Sequence, residues 1–173
     1  MNYFEIFGLP VQLKVDKSLL PKKYFELSKK FHPDFYSNAT PGEQQQALEI
    51  SANLNKAFKT FQNPDEIIKY VLQLKNLLQE EEKYELSPAF LMEVMDINEQ
   101  LMDVDQSAAG NIQPIATGTA VSNLQQQIFE PVKEIIASYK EGETPESDLL
   151  KVKEYYFQKK YLHRIEQQLK AMS

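Results

Sequence analysis

At 173 residues the chain has room for one domain or two small ones, and its 42% hydrophobic and 25% charged content excludes a disordered chain. It contains no cysteine, which excludes disulfides, thiolate zinc sites and cysteine-held iron–sulfur clusters. A net charge of −6 and a pI near 5.1 are a poor match to the basic surface that nucleic acid requires.

The start, Met1 to Phe7, lacks the cationic opening and unbroken apolar stretch of a signal peptide. A transit peptide needs arginines, and the chain holds one, Arg164. No apolar run approaches the roughly 20 residues of a membrane span. The expectation is a cytoplasmic protein without membrane contact. Residues 1–75 carry a net charge of +2 and residues 76–173 one of −8. A basic front and an acidic back point to two different partners.

In chain order, the first clear periodicity is Leu20, Tyr24, Leu27 and Phe31, one stripe of a helix. Its start is open between Asp16 and Ser18 as N-cap, and Pro33 ends it, biasing His32 to an extended backbone. Thr40-Pro41-Gly42-Glu43 is a capping box with proline at the first helical position. The helix behind it is expected to bury Ala47, Ile50, Leu54, Ala57, Phe58 and Phe61. Asn63-Pro64-Asp65-Glu66 repeats the start signal, for a helix through Leu78. Glu80-Glu81-Glu82 reads as a solvated linker. Ser87-Pro88 and Thr144-Pro145 open two more helices. Between them, residues 106–123, with Gly110, Pro114 and Gly118, read as a loop. A helix carrying Ile128, Val132, Ile135 and Ile136 follows, bent at Pro131. No segment alternates as a strand does. The fold class is all-α, in two helical domains joined near Glu80–Leu86.

His32-Pro33-Asp34 is the motif that carries function. By composition, a given tripeptide of this kind arises in a chain this long on the order of one time in a hundred. Its bland reading is a helix-ending turn. Its placement, after an amphipathic helix and before a capped neighbour, resembles the J-domain, a helical hairpin whose loop carries His-Pro-Asp. The resemblance implies docking on the ATPase domain of DnaK-like chaperones and faster ATP hydrolysis. Pro33 would lower the entropy lost on docking, and Asp34 offers a carboxylate for a charge-assisted bond. Lys22, Lys23, Lys29 and Lys30 fall within an arc of roughly 120° at 100° per residue, away from the apolar stripe, with Glu26 in its middle. A solvated face is the bland reading. In the J-domain resemblance a basic second helix meets an acidic chaperone surface. Phe35 departs from the pattern, since many J-domains have lysine after His-Pro-Asp.

The opening Asn2-Tyr3-Phe4-Glu5-Ile6-Phe7-Gly8-Leu9-Pro10, the segment Phe90 to Asp96 and the run Tyr155-Tyr156-Phe157 resemble the HscB co-chaperones. That resemblance covers nearly the whole chain, 106–123 matching least. It implies a J-domain (1–78), a linker (79–86) and a C-terminal three-helix bundle (87–173). The bundle would bind an IscU-like iron–sulfur scaffold and hand it to an HscA or DnaK-type chaperone. No cofactor, no metal and no enzymatic chemistry are expected, and a weak homodimer stays open. Two alternatives remain: a general J-domain co-chaperone of DnaK with another client, and a helical adaptor in which His-Pro-Asp is only a turn.

The client side has its own geometry. On a wheel with Leu91 at 0°, Phe90, Val94, Ile97, Leu101 and Val104 cluster at roughly 220–300°, an ordinary core stripe. Leu91, Met92, Met95 and Met102 cluster at roughly 0–100°, interleaved with the acids Asp96, Glu99 and Asp103. One helix of a three-helix bundle has one wide face to bury, so this second ridge is expected to be exposed and to mark a partner site. The bland reading packs it against the rest of the protein. Tyr155 and Tyr156 are the candidate contributors from the last helix, with the choice between them open. His163 reads as a lone surface histidine.

Overall fold

The computed structural model of the chain is all helical, with no strand among the described residues. It describes residues 1–106 and 113–172, and the side chains of these except 100–117, 169 and 172. The chain divides into two compact units, Met1–Lys75 with Tyr139–Thr144, and Asn76–Ser138 with Pro145–Ser173.

In the first unit α1 spans Tyr3–Phe7, opened by an Asn2–Glu5 capping box and closed by Gly8 at φ 67°. Five residues are too short for periodicity to reveal, and only glycine enters that left-handed backbone without strain. Asp16 caps a single 3₁₀ turn, Lys17–Leu19, that runs into α2, Leu20–Lys30. Pro21 thus lies in the first turn of α2, where no N–H is needed. His32 is extended (φ −62°, ψ 131°), as the proline after it requires. Helix α3, Pro41–Phe61, begins at the Thr40–Glu43 capping box. It buries Ala47, Leu54, Ala57 and Phe61, while Ile50 and Phe58 are half-buried. Helix α4, Pro64–Leu74, starts at the Asn63 cap but stops one turn short of the expected Leu78. Lys75 closes it and Asn76 turns left-handed at φ 58°, a conformation asparagine tolerates.

Phe4, Phe7 and Phe61 meet at ring separations of 4.9 and 5.3 Å in the core, with Leu20, Leu54, Val71 and Leu72. Tyr24 of α2 stacks on Phe58 of α3 at 4.3 Å and donates to Asn55 Oδ1 at 2.6 Å. Early α2 therefore faces late α3, which makes the two an antiparallel hairpin with His32-Pro33-Asp34 at its tip.

In the second unit α5 (Pro88–Gln106), α6 (Gln113–Phe129) and α8 (Glu146–Met172) pack pairwise as a three-helix bundle. The loop expected over 106–123 is a correction: 113–123 is helical, and 107–112 lie outside the described residues. Pro114 stands in the first turn of α6, and Gly118 has open space where a Cβ would be, so neither breaks the helix. Pro131 does act as a break. It ends α6, and a 3₁₀ turn, Glu130–Val132, leads into α7, Lys133–Ser138. Phe90, Val94, Ile97, Val121, Leu124, Ile128, Val152 and Leu162 fill this core.

Candidate functional site

The first candidate site is the hairpin tip. The Pro33–Tyr36 segment forms a 3₁₀ turn capped by the His32 side chain. The Asp34 backbone N–H donates to His32 Nδ1 at 3.3 Å, and Phe35 N–H donates to the His32 carbonyl at 3.0 Å. Because Nδ1 accepts, the neutral imidazole carries its proton on Nε2, leaving that donor free for a partner. The side chains of His32 and Asp34 are 55% and 89% exposed, with Nδ1 3.5 Å from Asp34 Oδ2. Behind them the two N–H hydrogens of the Gln44 amide are shared among the carbonyls of Tyr36, Ser37 and Ala39, at 3.0, 3.2 and 3.3 Å. The Tyr36 hydroxyl donates to the Lys30 carbonyl at 3.3 Å. The loop is therefore held from both helices of the hairpin, and His32, Pro33 and Asp34 are presented outward. With nothing around them to exclude water, the pair has no enclosed pocket in which to do acid–base chemistry.

Of the expected lysine arc, Lys22, Lys29 and Lys30 are exposed. Lys23 is a correction: half-buried, it donates to the Phe7 carbonyl at 2.5 Å and neutralises the C-terminal end of α1. It stands at the arc's edge, next to Leu27, close enough to the apolar stripe for α1 to capture it. Lys29 Nζ sits 4.6 Å over the Phe25 ring and Lys30 Nζ 5.3 Å over Phe31.

The second candidate site is on α5. Phe90, Val94 and Ile97 are buried, while Met92 and Met95 are 67% and 59% exposed. Asp96 and Glu99 beside them are exposed, and Leu91 is half-buried. The side chains of Leu101, Met102, Asp103 and Val104 lie outside the described residues. Leu91 lines a groove of about 630 Å³ with Tyr84, Phe157 and Tyr161, alongside charged residues of both signs, Glu82, Lys83, Glu85, Lys160 and Arg164. Tyr84 stacks on Phe157 at 4.6 Å with planes 1° apart, and Lys153 Nζ lies 2.8 Å from Glu82 Oε2. Glu82 is thus half-buried and paired with α8, which corrects the solvated-linker expectation for that residue; Glu80 and Glu81 are exposed. Burial, then the carboxylates of Glu154 and Glu82, push the Tyr84 phenol up.

Tyr155 is also a correction. It is 6% exposed, its ring 5.8 Å from Phe129, so it belongs to the core rather than the surface. Tyr156 is half-buried, edge-on to Phe157 at 5.2 Å. Of the run Tyr155-Tyr156-Phe157, it is Phe157 that lines the groove with Leu91. The available signal was the run itself, since 100° steps let only one of three consecutive aromatics share a given face. His163 is exposed, with Nδ1 3.6 Å from Glu166 and Nε2 3.3 Å from Gln167.

These placements separate core from surface measurably. Tyr155→Ala is expected to lower unfolding stability by about 3–5 kcal/mol, and Met95→Ala by no more than about 0.5 kcal/mol. Denaturant melts check this, and similar losses would mean the assignment of faces is wrong.

Among the described residues no helix is long and apolar enough to cross a membrane. Residues 86–170 match the family described as the HSCB C-terminal oligomerisation domain. A co-chaperone protein HscB homolog of Vibrio cholerae is 36% identical over 127 residues, 73% of this chain and 74% of the relative. The Vibrio vulnificus homolog is 32% identical over 135 residues, 78% and 79% of the two chains. Among solved structures, chaperone HscB from Vibrio cholerae superposes with a TM-score of 0.69 at 28% identity, covering 99% of this chain and 97% of that one. Human co-chaperone HscB superposes with a TM-score of 0.72 at 25% identity, covering 99% and 82%.

Proposed function

The chain belongs to the HscB family of co-chaperones, and from that premise we propose that it couples an iron–sulfur scaffold client to an ATP-driven chaperone in the cytoplasm. The N-terminal unit, Met1–Lys75 with Tyr139–Thr144, stimulates ATP hydrolysis by an HscA or DnaK-type chaperone through His32, Pro33 and Asp34. The second unit, Asn76–Ser138 with Pro145–Ser173, binds an IscU-like scaffold through the α5 ridge. The protein performs no chemistry itself, and any cluster stays on the client. The observation that carries the reading is the His-Pro-Asp loop, exposed at the tip of an antiparallel hairpin and braced by Gln44. Bracing matters because a loop already ordered loses less entropy on docking. The test is single-turnover ATP hydrolysis by a DnaK-type chaperone with and without the chain, then with the scaffold added. No acceleration at any concentration overturns the reading.

The lysine face has a kinetic consequence. Reversing charge at Lys22, Lys29 and Lys30 is expected to slow association about ten-fold or more at low salt and to flatten its salt dependence, since peripheral charges act on encounter. Stopped-flow association across a salt series measures it. A wild-type on-rate that does not change with salt would leave the lysines as a solvated face only.

A further inference from the structure

Of the ten phenylalanines in the chain, only Phe25 and Phe35 are exposed, at 59% and 75%. A single exposed apolar side chain needs no explanation. Two phenylalanines within eleven residues, on the stretch that also holds Lys22, Lys29, Lys30 and His32-Pro33-Asp34, call for one. Both rings also lie beside functional neighbours on that stretch. Lys29 Nζ lies 4.6 Å over Phe25, which places the ring at the edge of the basic face of α2. The Phe35 backbone N–H donates to the His32 carbonyl, which sets where the residue leaves the turn, and its ring lies edge-on to the imidazole at 6.4 Å. The cations around them select an acidic surface, and the rings require apolar recesses in it.

We propose that Phe25 and Phe35 are apolar anchors on the chaperone-facing surface, each filling a recess in the acidic face of the partner's ATPase domain. This rests on the co-chaperone reading above. Rigid aromatic side chains lose little conformational freedom on burial, and such residues dominate binding energy when ringed by charge. Phe35 is the sharper case. Where many J-domains place a lysine, this chain presents an apolar ring, so the matching partner position is apolar rather than acidic. Docking then retains strength at salt concentrations that screen the lysines.

The test uses the full chain with a DnaK-type chaperone, reading single-turnover stimulation against concentration at low and high salt. Phe25→Ala and Phe35→Ala are each expected to raise the half-saturating concentration on the order of ten-fold or more, at both salts. Their thermal melts should match wild type, because neither ring is buried. Phe35→Lys is expected to recover part of the loss at low salt only. Alanine variants that titrate like wild type, or Phe35→Lys equal to wild type at both salts, would overturn the proposal. His32→Gln run alongside separates the two levels. If it is inactive while both phenylalanine variants behave normally, the anchors are wrong and the co-chaperone reading stands. If it stimulates normally, that reading itself has failed.

Discussion

His32→Gln abolishes stimulation of the partner ATPase while leaving the hairpin folded. The imidazole side chain is 55% exposed, and within the turn its Nδ1 accepts the Asp34 N–H at 3.3 Å. A glutamine carbonyl oxygen can accept the same bond, so the turn persists, and a change at an exposed site costs within about 0.5 kcal/mol. What glutamine cannot reproduce is the rigid ring presenting Nε2–H beyond the loop. A bond of that kind to a charged partner group contributes about 1.5–3 kcal/mol, which is roughly ten- to more than a hundred-fold in the stimulated rate. Single-turnover hydrolysis with and without the variant reads the effect, and a thermal melt verifies the fold. Undiminished stimulation would reduce His-Pro-Asp to a turn and favour the adaptor alternative.

Replacing Leu91, Met92 and Met95 together by alanine removes most scaffold binding, by about a hundred-fold or more, since interface anchors contribute 2 kcal/mol or more each. Met92 and Met95 are 67% and 59% exposed, so their truncation leaves no cavity. Leu91 is half-buried over the groove with Tyr84, Phe157 and Tyr161, and most of any stability loss comes from it. The expected total is under about 2 kcal/mol, against 2–5 kcal/mol for each such residue in a core. Scaffold titration and denaturant melts on the triple variant decide between the two. A fall of several kcal/mol, or unaltered binding, would place the client surface elsewhere. Asp96 and Glu99, exposed beside the ridge, then govern the salt dependence of encounter rather than its final strength.

Local signals in the sequence marked the starts of α3 and α4 and the backbone before Pro33, where the physics is local. Thr40-Pro41-Gly42-Glu43 and Asn63-Pro64 open helices because cap and proline act within one turn, and Pro33 sets the backbone of His32 directly. The two faces of α5 followed from periodicity, as Phe90, Val94 and Ile97 turn inward and Met92 and Met95 outward. Local signals mislead where one residue type has two meanings. Pro114 and Gly118 read as loop punctuation, yet a proline in a first turn gives up a bond that would not form there, and an isolated glycine only weakens a helix that packing supplies.

The sequence by itself determined the helical class, the exposed motif and the split of charge along the chain. The tertiary structure decided which neighbour claims an ambiguous side chain. Lys23 stands at the border of the basic arc, and only the approach of the Phe7 carbonyl draws it out of solvent. Among three consecutive aromatics, the position of Phe129 commits Tyr155 to the core and Tyr84 covers Phe157. Glu82 is a linker acid until Lys153 pairs with it. In each case residues distant in sequence compete for one side chain, and local periodicity has no term for a contact made across the fold.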